Sequence, residues 1–135
     1  MRSRIIGVLL GIGLLVSGSL VSAHHAFSSE FDASKPIVLK GKVVKTEWTN
    51  PHAWVYIEVV TDGKTETWAI ECGAPNALLR RGWTKQSLPI GSEITVDGYR
   101  AKNGSTTANA KDITGPDGKK MFAGSSGTGA PYEKP

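Results

Sequence analysis

The dipeptide Asp62-Gly63 stands between two runs that alternate apolar and polar side chains, and a β-hairpin is the arrangement that satisfies this combination. A two-residue hairpin loop needs positive φ at its central positions, which Asp and Gly tolerate at little cost. Upstream, residues 53–61 place Ala53, Val55, Ile57 and Val59 on one face and Trp54, Tyr56, Glu58 and Val60 on the other. The period of two predicts a strand whose first set faces a core. Downstream, residues 65–72 carry Trp68, Ile70 and Cys72 on one face of a second strand.

Other elements extend this hairpin on both sides. Residues 37–48 are rich in β-formers, but Gly41 interrupts them and the adjacent pair Val43-Val44 breaks strict alternation. Both features predict a bent or bulged strand of the kind a small barrel needs. Asn50-Pro51 marks the turn that follows. Pro75 and Gly82 bracket a short helix over residues 73–82, with proline in the first turn and glycine past the end. Further strands are predicted over residues 93–101, where Ile94 and Val96 point inward, and over 106–114. A last hairpin at Pro116-Asp117-Gly118 brings in residues 120–123. Three strands, a short helix and two more strands is the order of an all-β, five-stranded OB-like barrel with its helix between strands three and four. A β-sandwich accounts for the strands but not for the position of the helix.

The two ends of the chain read differently. Arg2 and Arg4, an apolar run from Ile5 to Val16 and the small residues Val21-Ser22-Ala23 make a secretory signal over residues 1–23, cut after Ala23. The apolar run is shorter than the ~20 residues a membrane-spanning helix needs. A periplasmic protein with no stable membrane anchor is therefore expected. The barrel domain is assigned to residues 24–123, with a lead-in pinned by Phe27 and Phe31. Residues 124–135, dominated by Gly, Ser, Thr and Pro, are expected to be a disordered tail. Removing Arg2 and Arg4 from the 16 basic residues leaves 14 against 12 acidic ones. That small, evenly spread excess, together with export, argues for no nucleic-acid partner.

The segments His24-His25-Ala26-Phe27, Thr49-Asn50-Pro51-His52-Ala53-Trp54, Gly73-Ala74-Pro75-Asn76 and Leu78-Leu79-Arg80-Arg81-Gly82-Trp83 recur in a family this chain resembles. It is an uncharacterised family of small exported proteobacterial proteins, defined only as a domain of unknown function. The resemblance implies export and a single domain, and it brings no activity with it.

Chemistry is therefore sought in the residues themselves. The chain has three histidines, two at the expected mature N-terminus and one in the loop between the first two strands. An N-terminal histidine offers a chelate from its α-amine and ring, and a second imidazole completes a three-nitrogen site suited to copper(II). His24 would supply the chelate, His52 the third nitrogen and His25 a further ligand. Beyond the signal the only methionine is Met121, which excludes a thioether copper(I) site. Trp48 and Trp54 flank His52 and, with Arg80, make a candidate ligand face. The bland readings are a solvated N-terminal pair, a His52 that braces a turn, and tryptophans that belong to the core or rim. Arg80 and Arg81 complement a helix C-terminus, and Asn76 serves the helix start. Cys72 reads as an inert buried thiol. No Gly-x-Ser-x-Gly, phosphate loop or Cys-x-x-Cys is present, which disfavours a hydrolase or thiol redox enzyme. The expectation is a periplasmic metal-binding carrier or accessory protein, with copper foremost. The alternative is a metal-free, non-enzymatic module that binds a small solute or an envelope protein.

Overall fold

The turn at Asp62-Gly63 closes as its chemistry requires, with φ of 51° and 76° at the two residues. It joins strands paired antiparallel from Trp54↔Glu71 to Thr61↔Lys64. The computed structural model containing this hairpin describes residues 26–133. The expected signal, residues 1–23, and both N-terminal histidines, His24 and His25, lie outside them. In chain order the elements are a single helical turn, α1 (Ala26–Glu30), then β1 (Phe31–Glu47), β2 (Trp54–Thr61), β3 (Lys64–Glu71), α2 (Pro75–Arg80), β4 (Glu93–Ala101), β5 (Thr107–Thr114) and the short β6 (Lys120–Phe122).

The sheet order is β3-β2-β1-β4-β5-β6, and an additional pairing of β3 with β5 closes the first five strands into a ring. That closing seam is parallel, with Ala69↔Thr107, Ile70↔Ala108 and Glu71↔Asn109 in register. The other pairings are antiparallel. The all-β barrel of OB-like order, with α2 between strands three and four, therefore stands as expected. β6 lies outside the ring and pairs with β5 alone.

One long strand serves two neighbours because it bends. β1 pairs with β4 from Phe31 to Lys42 and with β2 from Lys42 to Glu47. The β2 register slips between Val43 and Lys45, at the paired valines. Gly41 permits the curvature, since a Cβ there would lie 2.6 Å from the Glu58 carbonyl oxygen. The alternating faces pack inward as their pattern requires: Val43, Ile57, Ile70, Ile94, Val96 and Ile113 are all buried in one cluster. Ala53, Val55 and Val59 join them, as do Trp68 of β3 and Cys72 just beyond it.

A second, smaller cluster forms outside the barrel. Phe27, Phe31, Ala101 and Ala130 are buried there, with Tyr99 and Tyr132 packed against them. Phe27 and Phe31 thus pin the lead-in as expected. The tail does not follow its composition. Ala130 and Ser125 are buried, and the Tyr132 ring meets Phe27, Tyr99 and Phe122 at centroid distances of 6.5, 6.3 and 5.4 Å. The expectation of a disordered segment is corrected for residues 124–133. Glycine-rich chain carries few apolar groups, but one tyrosine seated on a preformed aromatic patch holds this one down.

Candidate functional site

His52 sits in the loop that joins β1 to β2, and the end of β3 fixes that loop. The Ala53 amide donates to the Gly73 carbonyl at 3.0 Å and the Cys72 amide donates to the Ala53 carbonyl at 2.9 Å. The Thr49 hydroxyl donates to the His52 carbonyl at 3.4 Å, and the Asn50-Pro51 peptide is cis. The His52 ring, 27% exposed, is thereby brought alongside the last residue of β3, with Nδ1 3.3 Å from Oε1 of Glu71.

Glu71 is the chemically unusual member of this pair. Strand alternation puts it on the outer face of β3, yet it is only 7% exposed because α1 and the tail cover that end of the barrel. Burial pushes its carboxyl up to about 7, helped by the negative charge of Glu30 and opposed by a hydrogen bond from Asn109. His52 is moved the other way: burial lowers its pKa, with a smaller opposing effect from Glu30. Desolvation thus drives both partners toward their neutral forms. The contact is a close approach of two groups that burial favours in their neutral forms.

Asn109, 2% exposed, faces Glu71 across the parallel seam, and its Nδ2 donates to Glu71 Oε1 at 3.4 Å. Its Oδ1 accepts from the Tyr132 hydroxyl at 2.7 Å. A chain of hydrogen bonds therefore runs from the tail through β5 to Glu71 of β3, whose carboxyl lies beside the imidazole. In front of it lies a pocket of about 220 Å³, walled by Phe27 and Glu30 of α1, by Pro51 and His52, by Glu71 and Asn109, and by Thr128 of the tail. Among the described residues no group of three or more His, Cys, Asp or Glu side chains is placed to hold a metal ion. His52 and Glu71 form a pair open on the α1 side.

The other expected site residues go elsewhere. Trp48 and Trp54 line a separate apolar pocket with Cys72, Leu78 and Trp83, and His52 is not part of its wall. Proximity in sequence misleads here because His52 belongs to the loop between β1 and β2, whereas Trp54 is the first residue of β2. Arg80 is exposed at the end of α2 and borders none of these cavities. Its neighbour Arg81 instead donates to the Gly124 carbonyl at 2.7 Å and lies over the Phe122 ring at 4.7 Å. Cys72 is buried and free, and burial pushes its thiol up to about 12.

Sequence reasoning missed Glu71, Asn109 and Tyr132. The available signal for Glu71 was a carboxylate inside an otherwise apolar strand end, Trp68-Ala69-Ile70-Glu71-Cys72, which strand alternation assigns to solvent.

Among the described residues no helix is long and apolar enough to cross a membrane. No curated protein matches the chain. In fold it is similar to the crystal structure of a mitochondrial single-stranded DNA-binding protein from S. cerevisiae, at 14% identity and a TM-score of 0.45, over 67% of this chain and 96% of that one. Because that neighbour is a DNA-binding protein, the exclusion of nucleic acid drawn from charge and export is corrected and does not stand. The sequence model of one family covers residues 13–110, most of the barrel, and the chain belongs to that family, the family of unknown function DUF6152.

Proposed function

We propose that this chain is a periplasmic metal-binding carrier or accessory protein that takes copper through its mature N-terminal histidine and His52. The observation that carries the reading is the contact between His52 Nδ1 and Glu71. A metal-ligating histidine commonly donates its second ring nitrogen to a carboxylate, which fixes the tautomer and makes the free nitrogen more basic. Glu71 is the carboxylate beside Nδ1, and Nε2 would be the coordinating atom. Burial keeps the imidazole neutral, the form that binds metal.

The position of α1 adds a second support. Phe27 lines the same pocket as His52, and the three residue steps from Phe27 back to His24 span at most ~11 Å of extended chain. Cleavage after Ala23 would therefore release a nitrogen chelate tethered beside the pocket. Amine and imidazole nitrogens favour copper(II) among the divalent metals.

The test is a copper(II) titration of protein that begins at His24, of the same protein with one additional N-terminal residue, and of His52→Ala. Both changes are expected to weaken binding by about tenfold or more. Affinity indifferent to both would remove the metal site and leave the metal-free module for a small solute or an envelope protein as the reading.

A further inference from the structure

Among the described residues Glu71 is the only charged side chain that is buried. A carboxylate taken out of water needs a paired cation or a full set of hydrogen bonds. Several exposed carboxylates have a cation: Lys40 lies 3.1 Å from Glu93 and Lys120 lies 3.3 Å from Asp97. Among the described residues no lysine or arginine pairs with Glu71, whose one close approach is to the His52 ring. Its contacts also crowd onto a single oxygen. Asn109 Nδ2 donates to Oε1 at 3.4 Å, and His52 lies beside that same atom. Oε2 accepts no hydrogen bond among the described residues, although the side chain is more than nine-tenths buried.

This carboxylate walls the pocket of about 220 Å³, and Glu30 of α1 brings a second one to the same wall with no lysine or arginine between them. Lys102 lines the adjoining hollow that shares Glu30 and Phe31, but its ammonium is engaged with the Ser28 carbonyl. The rest of the wall is largely apolar. Phe27 and Phe31, each 3% exposed, stand with ring centroids 5.7 Å apart. Aromatic faces attract positive charge and cover hydrocarbon, and a carboxylate oxygen without a donor pairs strongly with a charged N–H group. A quaternary ammonium has no N–H to offer, and an inorganic ion has no stem for the rings to cover. The volume lies below the roughly 300–1,000 Å³ of sites for drug-sized ligands, so the occupant is small.

We propose that the pocket binds a small alkylammonium cation, with its N–H group donating to Oε2 of Glu71, its charge shared with Glu30 and its stem against Phe27 and Phe31. Such a ligand needs neither a cleaved N-terminus nor Nε2 of His52, and so goes beyond the copper reading.

The test is an NMR titration of metal-free protein at pH 8 with butylammonium, with the neutral isostere 1-butanol and with tetramethylammonium. Butylammonium is expected to shift the ring signals of Phe27 and Phe31 and to bind about tenfold or more tighter than either control. Glu71→Gln, which keeps the shape and removes the charge, is expected to weaken butylammonium by about tenfold or more, and Glu30→Gln, at an exposed position, by about two- to threefold. Persisting contacts between the Phe27 and Tyr132 rings show that each variant is folded. Butylammonium that binds no tighter than butanol or tetramethylammonium, that binds folded Glu71→Gln as well as the parent, or that shifts signals only elsewhere would overturn the proposal. Protein with one additional N-terminal residue is expected to bind butylammonium unchanged. The copper site and the cation site therefore fail separately: loss of copper binding in that protein with butylammonium binding retained upholds the cation site.

Discussion

Glu71 and His52 make opposite contributions to stability as pH changes. The folded-state pKa of Glu71, about 7, lies above the ordinary value of 4.5, so the stability it contributes is complete below 4.5 and is lost as pH rises through 7. The lowered pKa of His52 contributes stability above 6.5 that is lost as pH falls through its folded value. Glu71→Gln is neutral at every pH and can still accept the hydrogen bond from Asn109. Metal-free Glu71→Gln is therefore expected to be more stable than the parent at pH 8 and to lose that advantage by pH 5, read from urea midpoints. Midpoints that move in parallel over that range would refute the assignment. Cys72 offers a simpler check. With its thiol pushed up to about 12, it is expected to resist a disulfide reagent at pH 8 in the native protein and to react promptly in urea. Its inertness was legible from the shared face of Trp68, Ile70 and Cys72. The importance of Glu71 was not, because alternation describes a single strand and cannot register what the rest of the chain lays over its outer face.

At the level of elements, legibility followed the range of the forces involved. The hairpin, the bulge near Val43 and α2 were readable because turn chemistry, β-branching and proline act within a few residues. The end of the chain was misread because its order comes from Tyr132 reaching an aromatic cluster built by α1 and β4, a contact that composition does not record. Two substitutions probe the elements. Ile57→Ala, in the fully buried face of β2, is expected to cost about 2–5 kcal/mol in chemical denaturation. Gly98→Ala would place a Cβ 2.1 Å from the Asn109 carbonyl oxygen. It is expected to push β5 away from β4, cost about 1–3 kcal/mol and disturb the His52 ring signals as well. A Gly98→Ala protein with parental stability would show that β4 and β5 pack less tightly than this geometry requires.

For the whole molecule, the decisive feature is how the barrel shuts. Three residue pairs make the β3–β5 seam, and the last of them is Glu71↔Asn109. By contrast, eight registered pairs hold β2 to β3. The shortest joint in the ring is thus also the wall of the candidate site. Amide exchange within residues 69–71 and 107–109 is expected to be faster than in the β2–β3 hairpin, and Tyr132→Phe is expected to accelerate it further. Equal protection across the two pairings would contradict this view of the seam.

That coincidence gives the fold a built-in order of failure. Heat, strain or a partner that prises the cylinder apart would begin at its clasp, and the imidazole would lose its anchor while most of the wall still stood. A cargo held there could be surrendered by a small local opening, without the molecule coming undone.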